Sequence, residues 1–403
     1  MEVARGGHHL KGMKVTYLSI EDPQDVHAWS GLVYHIGHSL EPYAQVEYAG
    51  PLAYKRFVSD KMRQVVCEAV SGKRHQRGRE ARLLKHYADQ ALPRLAADAN
   101  AVFACSTLPV AYLECTSPVL VWIDSTFAGV IDYHPAFFNL CPHAIAMGNA
   151  AEQRALDRCA RVIFASEWAA RTALQHYRLD EQKVEVVPYG ANLDTAPPGA
   201  EVRADIRRRS KSVCRLLLVG VDWHWKGADV AIAAATQLRD SGVPAQLTIV
   251  GCHPPPGAAL PDWVRVTGFI SQKSQEGRAR LAELYREAHF FLLPTRAECY
   301  GVVVAESNSF GVPVIASKTG GIPIAATGSN GVLFSLDRYI PEAVAYVAAH
   351  WADAARYAAL AETSRHEFES RLNWLVSGSK VAEILRACAA GRRAGAPQQA
   401  MHH

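Results

Sequence analysis

Pro294-Thr295-Arg296-Ala297-Glu298-Cys299-Tyr300-Gly301-Val302-Val303-Val304-Ala305-Glu306 is the stretch on which the reading of this chain turns. It follows the apolar run His289 to Leu293, which predicts a fully buried parallel strand. It then passes through Tyr300-Gly301 into a predicted helix that should stop near Phe310-Gly311, since glycine favours helix ends. Glu298 falls just before that helix, at the carboxyl end of the strand, where open α/β sheets hold their ligands. Glu306 falls inside the helix, more than one turn on. Between them, free backbone N–H groups around Gly301 and Val302 make the helix start an anion site. The arrangement suits a ligand with an anionic middle and hydroxyl-bearing ends.

Working outward, the second half of the chain alternates strand and helix. Arg215 to Gly220 reads as a buried strand, followed by the loop Val221-Asp222-Trp223-His224-Trp225-Lys226-Gly227 and a helix from Ala228 to Asp240. Strands Gln246 to Gly251 and Val264 to Thr267 and a helix Arg278 to Ala288 precede the opening stretch. Beyond it, Pro313 to Ser317 is a strand ending in Lys318-Thr319-Gly320-Gly321, and Gly328 to Phe334 is a last extended segment. Lys226 and exposed N–H groups suit a diphosphate, a carboxylate in the helix suits a ribose diol, and the other carboxylate could accept from sugar hydroxyls. No Asp-x-Asp occurs, so a metal-bridged diphosphate is not expected. Charge on a leaving group would fall to lysine and the helix dipole.

The first half shows the same alternation. Val15 to Ser19, Asn100 to Cys105, Val119 to Ile123, Arg161 to Ala165 and Lys183 to Val187 read as strands. Helices are expected through His38 to Leu40, over Glu152 to Cys159, and after a cap at Ser166. Ser30-Gly31, between the first strand and its helix, has the grammar of a phosphate cradle without G-x-G-x-x-G, and taken by itself reads more readily as a plain helix cap. Asp124 ends a strand, a place for substrate-binding carboxylates and for helix caps alike. His134 lies in the loop beyond, either as a ligand or as an incidental surface residue. Residues 71–85 carry six Lys/Arg against one Glu, which fits an anionic membrane surface, an acidic acceptor or a solvated helix face. Thr195 to Ala200, with two prolines and a glycine, reads as a linker. Two doubly wound parallel-sheet domains in series follow, with the cleft between them as the default ligand site.

Composition agrees. At 403 residues, 49% hydrophobic and 20% charged, the chain is too long for one compact core. A net charge of +4 gives no reason to expect nucleic acid. The nine cysteines stand singly, with a spacing that fits neither a zinc site nor a disulfide framework and points to a reducing, cytoplasmic setting. No run is long and apolar enough to span a membrane, and no signal-peptide core precedes the first strand. Residues 1–12 and 391–403 are expected to be disordered tails.

Glu298 through Glu306, spaced E-x7-E with Tyr-Gly inside, resembles the signature of the retaining family 4 glycosyltransferases, which have the GT-B fold. The ordered set around it strengthens the likeness: Gly220 with Lys226-Gly227, Gly311-x-Pro313-Val314, and Gly320-Gly321, across about 110 residues. The resemblance implies a metal-independent, cofactor-free transfer of a hexose-type sugar from a nucleotide-diphosphate sugar, UDP- or GDP-linked, to a glycan, glycolipid or small-molecule hydroxyl. It implies an acceptor domain at 13–195, completed by a returning helix near 374–390, and a donor domain at 196–373. Glu298 would contact the donor sugar, Glu306 the ribose, Lys226 the diphosphate, and the backbone of Tyr300, Gly301 and Val302 the sugar or phosphate. Ser30-Gly31 would close over the phosphates, Asp124 would orient sugar or acceptor, and Gly268 would lie near the base. His134, Asn192, Arg296, Thr319 and Gly320 are secondary candidates.

One position departs from the family pattern. An arginine is expected directly after Gly220, paired with the lysine, and Val221 stands there. Arg296, His224 or another nearby cation could substitute. The rival readings are a sugar-nucleotide epimerase on a related two-domain fold and a non-catalytic sugar-nucleotide binder. A nicotinamide dehydrogenase is disfavoured, because neither half contains G-x-G-x-x-G.

Overall fold

The computed structural model describes residues 12–395, with side chains described through residue 390. The chain divides into two compact units. The first takes in residues up to Ala165, Ala169–Val187 and the chain from Ser377 on; the second is Ser166–Trp168 and Pro188–Val376.

The first unit is built on six parallel strands: β1 (Lys14–Leu18), β2 (Gln45–Ala49), β3 (Ala101–Ala104), β4 (Val119–Ile123), β5 (Cys159–Phe164) and β6 (Val184–Val186). They lie in the order β2-β1-β3-β4-β5-β6. The central strands β3 and β4 are buried along their whole length, as continuous apolar runs in a doubly covered parallel sheet must be. Between β1 and β3 the strand order reverses, and the Ser30-Gly31 turn follows β1 at that point.

The edge strand β2 is absent from the sequence reading, and its chemistry explains why. Gln45-Val46-Glu47-Tyr48 is only partly buried, and Glu47 lies 2.7 Å from the Lys14 ammonium across the pair. The helix Val58–Ser71 and the first half of the helix Pro142–Arg158 were likewise not anticipated. The former exposes Val58, Met62, Val66 and Val70 at four-residue spacing, so it lacks a sharp apolar stripe turned to the core.

The second unit holds β7 (Cys214–Val219), β8 (Ala245–Val250), β9 (Val264–Gly268), β10 (Phe290–Leu293), β11 (Val314–Ser317) and β12 (Gly331–Phe334). Their order is β12-β11-β10-β7-β8-β9, the doubly wound dinucleotide-binding order with its switch point between β7 and β10. Leu216, Leu218, Leu247, Ile249, Phe290, Leu292 and Ile315 form the core with the alanine-rich face of the helix Ala228–Asp240.

β10 begins at Phe290 rather than His289. His289 instead accepts from the Arg215 N–H at Nδ1 (3.0 Å) and donates from Nε2 to the Ser210 carbonyl (2.8 Å). Burial, with the Arg209 charge nearby, pushes its pKa down to about 4, so the ring is neutral. The helix Val302–Ser309 stops where glycine was expected: Gly311 has φ +62°. Its end carbonyls are taken by buried arginine: Arg209 donates to Phe310 (2.7 Å) and Gly311 (2.8 Å), and Arg365 donates to Ser309.

The last helix, Trp374–Gly395, starts in the second unit and continues into the first. Disorder was expected from residue 391, but the helix continues to Gly395, with alanines at 387, 389 and 390 supporting it. Residues 1–11 and 396–403 lie outside the described residues. No described helix is long and apolar enough to cross a membrane.

Candidate functional site

The loops after β7 and β10 flank the switch point, and the sequence forces them together. Gly227 adopts φ +72° as the cap of the helix Ala228–Asp240. A Cβ there would sit 2.0 Å from the Pro294 carbonyl oxygen, so only glycine lets the two loops approach. The Trp225 carbonyl accepts from the Arg296 N–H and from the Thr295 hydroxyl, both at 2.8 Å. On that frame the Lys226 ammonium donates to the Glu298 carboxylate, joining two predicted site residues far apart in sequence. Both side chains are mostly covered yet reachable, at 22% and 14% exposure.

A third loop is tied to the same place. The Gly321 N–H donates to the Glu298 carbonyl (3.1 Å), and a Cβ on Gly321 would meet the Cys299 carbonyl at 1.9 Å. Thr319 and Gly320 (φ +49°) precede it. Gly301, at φ +86° and ψ +56°, caps the helix Val302–Ser309 and leaves that helix start next to Glu298. Lys226, Glu298, Gly301, Val302, Thr319 and Gly320 therefore meet at the carboxyl ends of β7, β10 and β11. Gly268 (φ +69°) closes β9 and accepts from the Gly251 N–H at 2.8 Å, two strands from the switch point.

The remaining predicted residues of this unit have other surroundings. Glu306 is buried, and the Tyr285 hydroxyl donates to it at 3.2 Å. Burial pushes its pKa up to about 7, against a weaker downward pull from that hydrogen bond. Tyr300 is an anchor, its buried hydroxyl donating to the Tyr189 carbonyl at 2.6 Å. Asn192 is buried and accepts from the Trp374 indole at 3.1 Å.

Arg296, a candidate for the missing arginine's place, is engaged elsewhere in this structure. Its guanidinium forks onto Asp229 (2.7 and 3.0 Å) and bonds the His224 carbonyl. Burial works to raise the Asp229 carboxyl, but Arg296 outweighs it and holds it below the usual range. Val221 itself is exposed.

In the first unit, Trp29 (φ +49°), Ser30 (φ +57°) and Gly31 (φ +89°) are left-handed in succession after β1. Two non-glycine residues held there cost of order 1–3 kcal/mol each, a strain that concentrates at ligand sites. Asp124 directly follows β4, and the Ser125 hydroxyl donates to it at 3.0 Å. His134 serves as a cap: its Nδ1 accepts from the Ala136 N–H at 3.3 Å. The basic face of residues 71–85 is also narrower than its charge count. Arg79 turns inward, 2.8 Å from Glu152 and 4.3 Å over the Phe127 ring.

The family model for glycosyl transferases group 1 matches residues 214–352, the stretch that carries β7 to β12. A D-inositol 3-phosphate glycosyltransferase of Gordonia bronchialis is 29% identical over 170 residues, 39% of this chain and 37% of the relative. One of Nocardiopsis dassonvillei is 30% identical over 171 residues, 39% of this chain and 40% of the relative. The chain thus aligns with well under half the length of these curated relatives. Among solved structures, sucrose-phosphate synthase from Thermosynechococcus elongatus superposes with TM-score 0.67 at 19% identity, covering 94% of this chain and all of the other. Anabaena HepE in complex with UDP gives 0.63 at 16%, covering 93% and 100%. At such identities the likeness carries the fold: the chain has the GT-B fold. Residues 214–352 match the glycosyl transferases group 1 model, in agreement with the resemblance carried by the E-x7-E stretch.

Proposed function

We propose that the chain is a retaining glycosyltransferase that moves a hexose-type sugar from a nucleotide-diphosphate sugar to an acceptor hydroxyl without a metal. The pairing of Lys226 with Glu298 across the switch point of the second unit carries this reading. A diphosphate entering there would take Lys226 from Glu298, gain the N–H groups at Gly301 and Val302, and free the carboxylate for sugar hydroxyls. The nucleotide-bound state of HepE supports a nucleotide sugar as donor, UDP- or GDP-linked. Glu306 would meet the ribose, with Gly268 near the base. The strained Ser30-Gly31 turn would close over phosphate, and Asp124 would orient sugar or acceptor.

The anomeric carbon–phosphate bond breaks with its electron pair leaving on the diphosphate, where Lys226 and the helix start meet the charge. The acceptor oxygen bonds the same face of that carbon, and its proton passes to the departing phosphate oxygen. Peripheral contact with an anionic membrane would use the exposed Lys73, Arg74, Arg82 and Lys85, not the inward Arg79. The test of function is a thermal-shift and donor-turnover screen over UDP-, GDP-, ADP- and dTDP-sugars, with product anomers read by NMR. One donor should be turned over with retention, and Glu298→Gln should abolish it. Inversion, or turnover unchanged in Glu298→Gln, would refute the assignment.

A further inference from the structure

Away from the switch-point loops, the first unit gathers Cys67, His75 and Cys141 so that one ligand atom of each lies within 4.8 Å of the others. From this we propose a zinc site with Cys67 Sγ, His75 Nδ1 and Cys141 Sγ as ligands. Two donors on one tetrahedral zinc, at about 2.1 and 2.3 Å from it, stand about 3.6 Å apart. Cys141 Sγ and His75 Nδ1 are 3.7 Å apart.

The surrounding groups prepare the ligands. His75 is buried, and its other nitrogen, Nε2, lies 2.9 Å from the Glu80 carboxylate. That bond places the proton on Nε2 and leaves the Nδ1 lone pair facing the sulfurs, the carboxylate–histidine–metal arrangement. The second Glu80 oxygen accepts from Arg63 at 2.7 Å, so the supporting carboxylate is itself satisfied. Charges then balance: two thiolates against the dication, and Glu80 against Arg63. Two thiolates and an imidazole select a borderline-soft ion such as zinc over calcium or magnesium.

The backbone is arranged for the same purpose. Gly72, at φ +65°, ends the helix Val58–Ser71, and the chain beyond it brings His75 to Cys67. Arg74 then pairs in parallel with Leu140, through Arg74 N–H to Asn139 (2.8 Å) and Cys141 N–H to Arg74 (2.9 Å). That bridge sets His75 beside Cys141. His143 lies two residues on, its ring nearly parallel to His75 with centroids 5.7 Å apart, but outside the group of converging ligand atoms; solvent would fill the fourth position. The zinc would staple three separate segments of the first unit. On binding, each thiol releases its proton.

The full chain, purified from zinc-supplemented cells under reducing conditions, should contain close to one zinc per molecule by elemental analysis. Exchange with cobalt should give the intense visible bands of a tetrahedral site and a near-ultraviolet thiolate charge-transfer band. Cys67→Ser should lose both, Glu80→Gln should weaken zinc roughly 10–100-fold in chelator competition, and Cys388→Ser should keep the metal. The cobalt spectrum of the wild type does not depend on any variant folding. Negligible zinc with no thiolate–cobalt band would overturn the proposal. So would a Cys67–Cys141 disulfide found by mass spectrometry in protein whose thiols were blocked at cell lysis.

Discussion

Replacing Glu306 with glutamine isolates the cost of burying one carboxylate. The substitution keeps the shape and an acceptor oxygen for the Tyr285 hydroxyl, which lies 3.2 Å away, and removes only the ability to ionise. Folding raises the Glu306 pKa from its usual 4.5 to about 7, chiefly through burial. Below pH 4.5 the residue is protonated in both states and costs nothing. Between pH 4.5 and 7 the unfolded chain ionises first and binds fewer protons, so stability falls as pH rises; above 7 the loss is complete. At 1.36 kcal/mol per pH unit the full loss is roughly 3 kcal/mol. Denaturant titrations of wild type and Glu306→Gln should therefore show the variant gaining roughly 2–3 kcal/mol relative to wild type between pH 5 and pH 8. His289, whose pKa is depressed to about 4, makes both proteins lose stability below about pH 6.5, and cancels in the comparison. A difference between the two proteins that is the same at both pH values would mean that Glu306 is already ionised in the fold. If Glu306 also meets the ribose, the stabilised variant should bind donor more weakly.

Other perturbations separate frame from chemistry. Gly227→Ala drives a Cβ to 2.0 Å from the Pro294 oxygen and adds strain at φ +72°; it should cost several kcal/mol, of order 2–4, measured by thermal unfolding, and displace Lys226 from Glu298. Ser30→Gly relieves a left-handed residue and should raise stability by about 0.5–1 kcal/mol; if the turn closes on phosphate, the apparent donor KM should rise at the same time. Arg79→Gln should destabilise the first unit by about 3 kcal/mol by leaving the buried Glu152 carboxylate without its cation, with only the Thr107 hydroxyl at 3.0 Å, whereas Lys73→Gln should leave stability unchanged and weaken vesicle binding.

The strands and the E-x7-E stretch were legible because each is local: an apolar run ending in a glycine turn needs no partner to be recognised. Edge strand β2 was not, since it lacks that run and is held by β1 and the Lys14–Glu47 pair. The Lys226–Glu298 contact joins loops after strands that are adjacent in the sheet but not in sequence, so only the strand order reveals it. The burial of Glu306 is hidden for the same reason, because Tyr285 comes from another helix. The Arg296–Asp229 pair is hidden in the same way, because Asp229 comes from the helix Ala228–Asp240. The cysteines show the limit most clearly. Read by spacing, they excluded a zinc site; a glycine turn and one bridge bring Cys67, His75 and Cys141 together from separate segments.

Donor binding to wild type and to Lys226→Met, titrated by calorimetry with the nucleotide sugar found in the screen, tests the central claim most directly. One hydrogen bond to a charged group is worth about 1.5–3 kcal/mol, so the variant should bind roughly 10–150-fold more weakly, with the loss carried by the diphosphate and not by the nucleoside alone. Equal affinity in the two proteins, or no binding of any nucleotide sugar to the wild type, would contradict the account.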